Sequence, residues 1–301
     1  MRDGAHQVSA AADVAAALDR LVGARPPLLL VVDFDGTLAP VTLDSGATTI
    51  DPMGRRAMRR LARIAADRPG RLLPVVLTGR TALDVAVRVR VGGVEYLGDH
   101  GLQHGRLGRG ARPERLAVSA EPGFEAHADP AETLAAGVSD ELGHPRWLFV
   151  ERKGPSVAFH VRQAEDVAAA RAAVVDAIGA VERRHDLVDH GLAHYRGRSV
   201  VDLRPRDAGG KREAVARLIE RDRPGGIVVL GDELSDVDAF AAVVDARGAV
   251  PGLVGVTIAV HGRRPAPAEL SALADLHVGS ARAVARLLME LAQRLEREDR
   301  P

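Results

Sequence analysis

The sequence predicts an α/β fold, a parallel sheet with helices on both faces, interrupted by a smaller α+β insertion. Three observations carry this. The run Leu28 to Val32 in "LLLVVDFDGTLAPV" is continuously apolar and rich in leucine and β-branched residues, the pattern of a strand covered on both faces. Strand-like and helix-like segments alternate before and after a central region. That region reads instead as strands joined by hairpin-like turns and interleaved with helices. The expected division is a core of residues 1–104 and 205–301 and an inserted domain of residues 105–204.

Taken in order, residues 8–22 space Val14, Leu18 and Leu21 as a helix, and "ARPP" closes it before the first strand. Asp51 and Pro52 read as an N-cap and first helical position leading into "MGRRAMRRLARIAAD". The strand "RLLPVVLTGR", the helix "TALDVAVRVR" and the short strand "VEYLGDHG" follow. In the insertion, a helix is expected near 127–142, then two strands in "WLFVERKGPSVAFHVR", a helix in "AEDVAAARAAVVDAIG" and the run "RSVVDLRP". The α/β rhythm resumes with helix "KREAVARLIERD", strand "GIVVLGDE", helix "DVDAFAAVVD", strand "LVGVTIAV" and a terminal helix from about 280.

The chain has 301 residues, enough for a substantial core. Lys+Arg and Asp+Glu balance at 41 each, so no global charge draws it to nucleic acid or anionic lipid, and an anionic ligand must be met by local groups. The absence of cysteine excludes disulfides, thiolate metal sites and a cysteine nucleophile. The N-terminal residues lack a basic region followed by a long apolar one, and no stretch has transmembrane length, so the expectation is a cytoplasmic chain without membrane or nucleic-acid partners.

Three expected strand ends carry polar groups: Asp33 and Asp35, then Thr78-Gly79-Arg80, then Gly231-Asp232-Glu233 followed by Asp236. In an open parallel sheet, ligands bind beyond the carboxyl ends of the strands, so these groups can meet in one crevice. Side chains two apart on an extended segment share a face, which predicts that the Asp33 and Asp35 carboxylates converge, and Gly36 permits a sharp turn after them. Such closeness needs a cation or a shared proton. Lys211 follows Gly209-Gly210 at a helix start, where free N–H groups attract phosphate. Carboxylates for a hard cation, donors for phosphate oxygens and a lysine for the same anion together equip metal-assisted phosphoryl transfer.

The order "DFDGTL", "LTGR", a lysine before a helix, and "GDELSDVDAF" resembles the haloacid dehalogenase superfamily of aspartate-nucleophile phosphatases, over most of the chain. "YLGDHGLQ", "ERKGPSVAFHVR" and "VVDLRP" make it similar, more narrowly, to the trehalose-6-phosphate phosphatases. The resemblance implies a Rossmann-like core with an inserted cap of the C2 type and a small sugar phosphate as substrate. Asp33 would be the nucleophile that forms an aspartyl phosphate, and Asp35 the acid and base. Mg²⁺ would be held by Asp33, Asp232 and the main-chain carbonyl of Asp35. Thr78, Gly79 and Lys211 would bind phosphate, while Asp236 would support the site from behind. In the cap, Glu151, Lys153 and Asp202 would contact the sugar.

About 40 residues separate Asp35 from Thr78 and about 130 separate Thr78 from Lys211, so the cap belongs in the second gap. Glu151, Lys153, His160 and Arg162 are the polar positions of its hairpin, and the spacing of Glu151 and Lys153 turns both to one face. An ordinary exposed ion pair is the competing reading of those two. Arg80 is open to two roles, capping its helix or pairing with a carboxylate. His100 reads as structural, and His104, His185, His190 and His194 as scattered surface residues. Two positions depart from the family pattern: Glu233 stands where a second aspartate is usual, and Asp202 where glutamate is usual. Two alternatives therefore stand beside trehalose 6-phosphate hydrolysis. One is the same chemistry on another sugar or pseudo-disaccharide phosphate; the other is a non-catalytic sugar-phosphate binding domain.

Overall fold

In a computed structural model, which describes residues 8–42, 45–187, 189, 191–196, 199–262 and 265–298, contacts divide the chain into two units. Met1–Ser119 with Gly210–Pro301 form the first and Ala120–Gly209 the second.

The first unit begins with helix α1 (Ala11–Val22) and strand β1 (Leu28–Val32). Helix α2 (Pro52–Asp67), β2 (Leu72–Leu77), α3 (Ala82–Val89), β3 (Val94–Gly98) and β4 (Gln103–Leu107) follow, and β5 (Ser119–Ala120) lies at the division. In the second unit, α4 (Ala128–Glu141) precedes β6 (Phe149–Arg152), β7 (Val157–His160), α5 (Val167–Arg184), β8 (Leu192–Arg196) and β9 (Val200–Pro205). The chain then returns to the first unit as α6 (Lys211–Asp222), β10 (Gly226–Gly231), α7 (Leu234–Ala249), β11 (Val254–Val260), α8 (Ala268–Leu273), β12 (Leu276–Val278) and α9 (Ala281–Arg297).

The large sheet has the order β12-β11-β10-β1-β2-β3-β4-β5. Its pairs from β12 to β3 are parallel and β4 runs antiparallel to β3. The unbroken apolar run of β1 has a direct physical reason. Leu28, Leu30 and Val32 enter the core under α1, α2 and α9, whereas Leu29 and Val31 enter the core under α6 and α7. Burying five such side chains on two faces contributes on the order of 1.5–3 kcal/mol each, and it fixes β1 at the centre of the sheet. Helix α2 starts as the sequence predicts: Asp51 Oδ1 accepts from the N–H groups of Met53 at 2.8 Å and Gly54 at 3.1 Å, with Pro52 in the first turn.

The contact division falls later than the sequence expectation at both ends. Segment 103–107 does not open the insertion but extends the core sheet as β4, with Val94 opposite Leu107, so the chain remains in the first unit until Ser119. On return, β9 and the turn after it belong to the second unit as far as Gly209. The second unit is a four-stranded antiparallel sheet, β6-β7-β9-β8, with α4 and α5 packed over a core that includes Leu134, Phe159, Val174, Ile178 and Leu203. Among the described residues no helix is long and apolar enough to cross a membrane.

Candidate active site

Strands β1, β2 and β10 are neighbours, and the polar groups that follow them stand beyond their carboxyl ends. Asp33 directly follows β1 and is buried. Its Oδ1 accepts from Lys211 Nζ at 2.8 Å, and the same ammonium donates to Asp236 Oδ1 at 2.7 Å. Lys211 is the first residue of α6, so the helix start that the sequence singles out delivers a buried cation between two carboxylates. Asp236 is fully engaged: its Oδ2 accepts from the N–H groups of Asp232 at 3.0 Å and Glu233 at 3.1 Å. It braces both Lys211 and the start of α7.

Asp33, Asp232 and Asp236 bring carboxylate oxygens within 4.8 Å of one another. Both oxygens of Asp236 are committed, whereas Asp33 Oδ2 and Asp232 Oδ1 are buried and accept no hydrogen bond, which leaves them open to a ligand. Burial raises the Asp33 carboxyl well above its ordinary range, opposed by Lys211 and reinforced by the charges of Asp236 and Glu233. Asp232 is raised by burial and then by the charges of Asp33, Asp236 and Glu233. For Lys211, burial acts to lower the ammonium, but the charges of Asp236 and Asp33 override it and hold it well above its ordinary value. Two buried carboxylates with unshared oxygens, each disfavouring the other's charge, fit a hard divalent cation, which prefers oxygen donors.

Asp35 has a different partner. The extended-strand reading has it share a face with Asp33, but β1 ends at Val32, and the N–H groups of Leu38 and Ala39 both turn back onto Phe34 O. The Asp35 carboxylate instead meets the guanidinium of Arg80, with Nε to Oδ2 at 2.6 Å and Nη2 to Oδ1 at 2.8 Å. Of the two roles open to Arg80, the structure therefore has carboxylate pairing, completed by Asp84 Oδ2 at 3.0 Å. The cap of α3 is Thr81, whose Oγ1 accepts from Asp84 N–H. Burial acts to lower the Arg80 guanidinium, yet its hydrogen bond to Asp35 and the charges of Asp35 and Asp84 keep it above its ordinary value. The turn after Asp35 depends on Gly36, with φ +85°, which lies so close to Asp232 that a Cβ would be 2.0 Å from its Oδ2.

Thr78 follows β2, buried, with its N–H donating to Leu97 O and its Oγ1 accepting from Arg80 N–H at 3.2 Å. The loop after β3 wraps this segment: Asp99 N–H donates to Arg80 O and His100 N–H to Thr78 O. Gly79 lies under the His100 ring, where a Cβ would be 2.9 Å from Nε2, so His100 is a structural neighbour of the Thr78-Gly79 backbone. Glu233 is exposed, and its Oε1 accepts from Ser235 Oγ at 2.7 Å.

The second unit gathers its own polar cluster. Glu151 on β6, Ala158 on β7, Asp202 on β9 and Tyr195 on β8 lie in one cross-strand row. Lys153 Nζ, buried, is 3.5 Å from Asp202 Oδ1 and 3.9 Å from Glu151 Oε2. His160 Nε2 lies 2.9 Å from Glu151 Oε2. Arg162 is exposed and lies two residues past the end of β7. The cluster also holds two residues that sequence reasoning passes over. Arg204 Nε is 3.1 Å from Asp202 Oδ2, and its Cζ lies 3.8 Å over the Tyr195 ring. Arg204 carries a usable signal, two residues after Asp202 on the same strand; Tyr195 sits in a segment with no clear apolar alternation. Of the scattered histidines, His185 is exposed at the end of α5, His194 lies 3.8 Å from Glu182, His104 is half-buried on β4, and His190 lies outside the described residues.

Comparison with known proteins agrees with this geometry. A family profile described as trehalose-phosphatase matches residues 31–273. A trehalose-phosphate phosphatase of Mycobacterium avium is 34% identical over 260 residues, covering 81% of this chain. The chain spans 59% of that relative's own length. Among solved structures, the C-terminal domain of the Candida albicans trehalose-6-phosphate phosphatase superposes with a TM-score of 0.71 at 18% identity, over 95% of this chain and 98% of that one. A haloacid dehalogenase-like hydrolase from Bacteroides thetaiotaomicron gives a TM-score of 0.54 at 14% identity, over 88% and 99% of the two chains. These structures share its fold.

Proposed function

From the premise that the chain belongs to the trehalose-phosphatase family, we propose that it is a phosphoric monoester hydrolase that cleaves trehalose 6-phosphate to trehalose and phosphate in the cytoplasm. One observation carries the reading. A buried lysine is shared by Asp33 and Asp236, with one unshared oxygen on Asp33 and one on Asp232 beside it.

Asp33 attacks phosphorus through a carboxylate oxygen, the bond to the sugar oxygen breaks, and an aspartyl phosphate forms. Asp35 gives the departing sugar oxygen its proton, for which it must leave the Arg80 fork, and then takes a proton from the water that attacks the aspartyl phosphate. Phosphate leaves and Asp33 is restored. Lys211 offsets charge on the nucleophile and on the transferring group, Thr78 Oγ1 and the Gly79 N–H hold phosphate oxygens, and Asp236 keeps Lys211 in place. Mg²⁺, when held by Asp33, Asp232 and the Asp35 carbonyl, supplies the positive charge that lets an anionic nucleophile approach an anionic ester.

Sugar selection is assigned to the cluster in the second unit, where Glu151, Lys153 and Asp202 offer acceptors and a donor to hydroxyl groups. His160 orients Glu151. Asp202 is shorter than the glutamate usual at this position, and its pairing with Arg204 and Lys153 is what holds it.

The test is phosphate release with Mg²⁺ from trehalose 6-phosphate, glucose 6-phosphate, sucrose 6-phosphate and other phosphorylated disaccharides, with Asp33→Asn as blank. Trehalose 6-phosphate is expected to be turned over best, chelation to stop the reaction and added Mg²⁺ to restore it. Asp202→Ala should cost about 1.5–3 kcal/mol in kcat/KM, mostly through KM, as the loss of a hydrogen bond to a charged group. A preference for a different disaccharide phosphate transfers the substrate assignment; release by Asp33→Asn at the wild-type rate sinks the mechanism.

A further inference from the structure

The first unit contains a second place where positive charge is concentrated, and none of the residues above belongs to it. A cavity of about 340 Å³ is lined by Arg59 and Arg63 of α2, Arg90 just past the end of α3, and Arg109 in the loop after β4. It adjoins residues 90–92, which precede β3, whereas the catalytic groups follow the carboxyl ends of β1, β2 and β10. The cavity therefore adjoins the amino-terminal end of β3, and the aspartate site the carboxyl ends of β1, β2 and β10, in one sheet.

The arginines are poorly neutralised. Arg90 is 3.5 Å from Glu114, Arg109 is 3.6 Å from Asp67, and Arg63 is 3.6 Å from Glu296. That last carboxylate is already bound by the Arg60 fork. All three pairs are long, and their arginine side chains are more than half exposed, so each contributes at most about 1 kcal/mol and yields readily to a better anion. Among the described residues no hydrogen bond or ion pair holds Arg59. Arg59 and Arg63 are also one helical turn apart, a like-charge spacing that costs stability by itself. The field reaches the neighbouring Arg55, which donates to the carbonyls of Arg88 and Val89: burial, and then the charges of Arg59 and Arg90, lower its guanidinium from the ordinary value.

Four guanidinium groups around a concavity of small-molecule size exceed what one phosphate group can satisfy, because each fork prefers two oxygens of its own. We propose that this cavity is a second anion site, which takes a small ligand carrying two or more phosphate groups. The formal net charge of zero means that the attraction is local, and the concave wall favours a compact ligand over an extended polymer. This inference does not depend on the catalytic reading.

Isothermal titration of the full chain with inorganic pyrophosphate, without Mg²⁺, tests it against the Arg59→Ala/Arg90→Ala variant. Both side chains are exposed, and circular dichroism verifies the fold. The wild type is expected to bind pyrophosphate with an affinity that falls as salt rises. The double variant should bind at least ten-fold more weakly, a loss of ~1.4 kcal/mol, while its turnover of a phosphomonoester remains that of the wild type. Binding within two-fold of wild type by the double variant, or none by the wild type at low salt, overturns the proposal. Tighter binding of a single-stranded oligonucleotide than of pyrophosphate at these arginines overturns it in favour of a nucleic acid. A loss of phosphatase activity through Asp33→Asn leaves this binding unchanged, so the two readings fail separately.

Discussion

Replacing Gly36 by alanine perturbs the aspartate site through one methyl group. Its Cβ would lie 2.0 Å from Asp232 Oδ2, 2.2 Å from Cγ and 2.4 Å from Oδ1. Ordinary contact is about 3.5–4.0 Å, so the carboxylate must retreat by about 1.5 Å. The backbone, at φ +85°, adds the penalty of a left-handed conformation, about 1–2 kcal/mol, and overpacking adds about 1–3 kcal/mol. The sum, about 2–5 kcal/mol, should lower Tm by about 2–4 °C for each kcal/mol in a chain of this size. A displacement beyond 1 Å of a group that positions the reacting centre should reduce turnover by about 100-fold and raise the Mg²⁺ concentration needed. Thermal unfolding and phosphate release across a Mg²⁺ titration measure both. A second substitution separates the methyl clash from backbone strain: Asp232→Ala removes what the methyl strikes, so the double variant should be more stable than Gly36→Ala alone, a non-additive pair. Wild-type Mg²⁺ dependence and turnover in Gly36→Ala would refute the assignment of Asp232, and strict additivity would refute the clash.

Two further outcomes concern the framework. Asp51→Ala removes the cap of α2 and the contact from Arg282 on α9; it should cost about 0.5–2 kcal/mol by urea unfolding, with Asp51→Ser recovering most of it, and an unchanged midpoint would show that the cap is idle. Burial raises the Tyr96 hydroxyl above its ordinary value, and the hydroxyl donates to Val91 O at 2.7 Å. The folded state therefore keeps this proton longer than the unfolded one. The contribution is fully present below about pH 10 and is lost as pH rises through the higher folded value. Tyr96→Phe should flatten that alkaline decline in stability, and an equally steep decline in the variant would contradict the shift.

What could be read from the sequence follows from how local each signal is. The apolar run of β1 and the Asp51-Pro52 start of α2 declare themselves within a few residues, because burial on two faces and cap chemistry are written in adjacent side chains. Lys211 is legible by its place before a helix, although its hydrogen bonds to Asp33 and Asp236 are products of strand order. The pairing of Asp35 with Arg80, while Asp33 meets Lys211, was not legible. It depends on where β1 ends and on a bidentate partner that follows a different strand. Strand β4 is defined by pairing with β3, strand β12 is three residues long, and α8 only six, so neither period nor length marks them out. The Arg204 stack on Tyr195 needs the register of β8 with β9, which no spacing along the chain encodes.

The position of β1 also has a consequence for biosynthesis. It pairs with β2, made shortly after it, but its other edge waits for β10, with Leu28 opposite Gly226. A chain still emerging from the ribosome thus carries Asp33 long before Lys211 and Asp232, and displays one flank of an apolar strand throughout that interval. Such long-range pairing is slow to form, and the whole of the second unit is translated first. On the proposed mechanism, a chain cut within the insertion should lack Lys211 and Asp232 and release no phosphate, while the unpaired flank of β1 favours self-association.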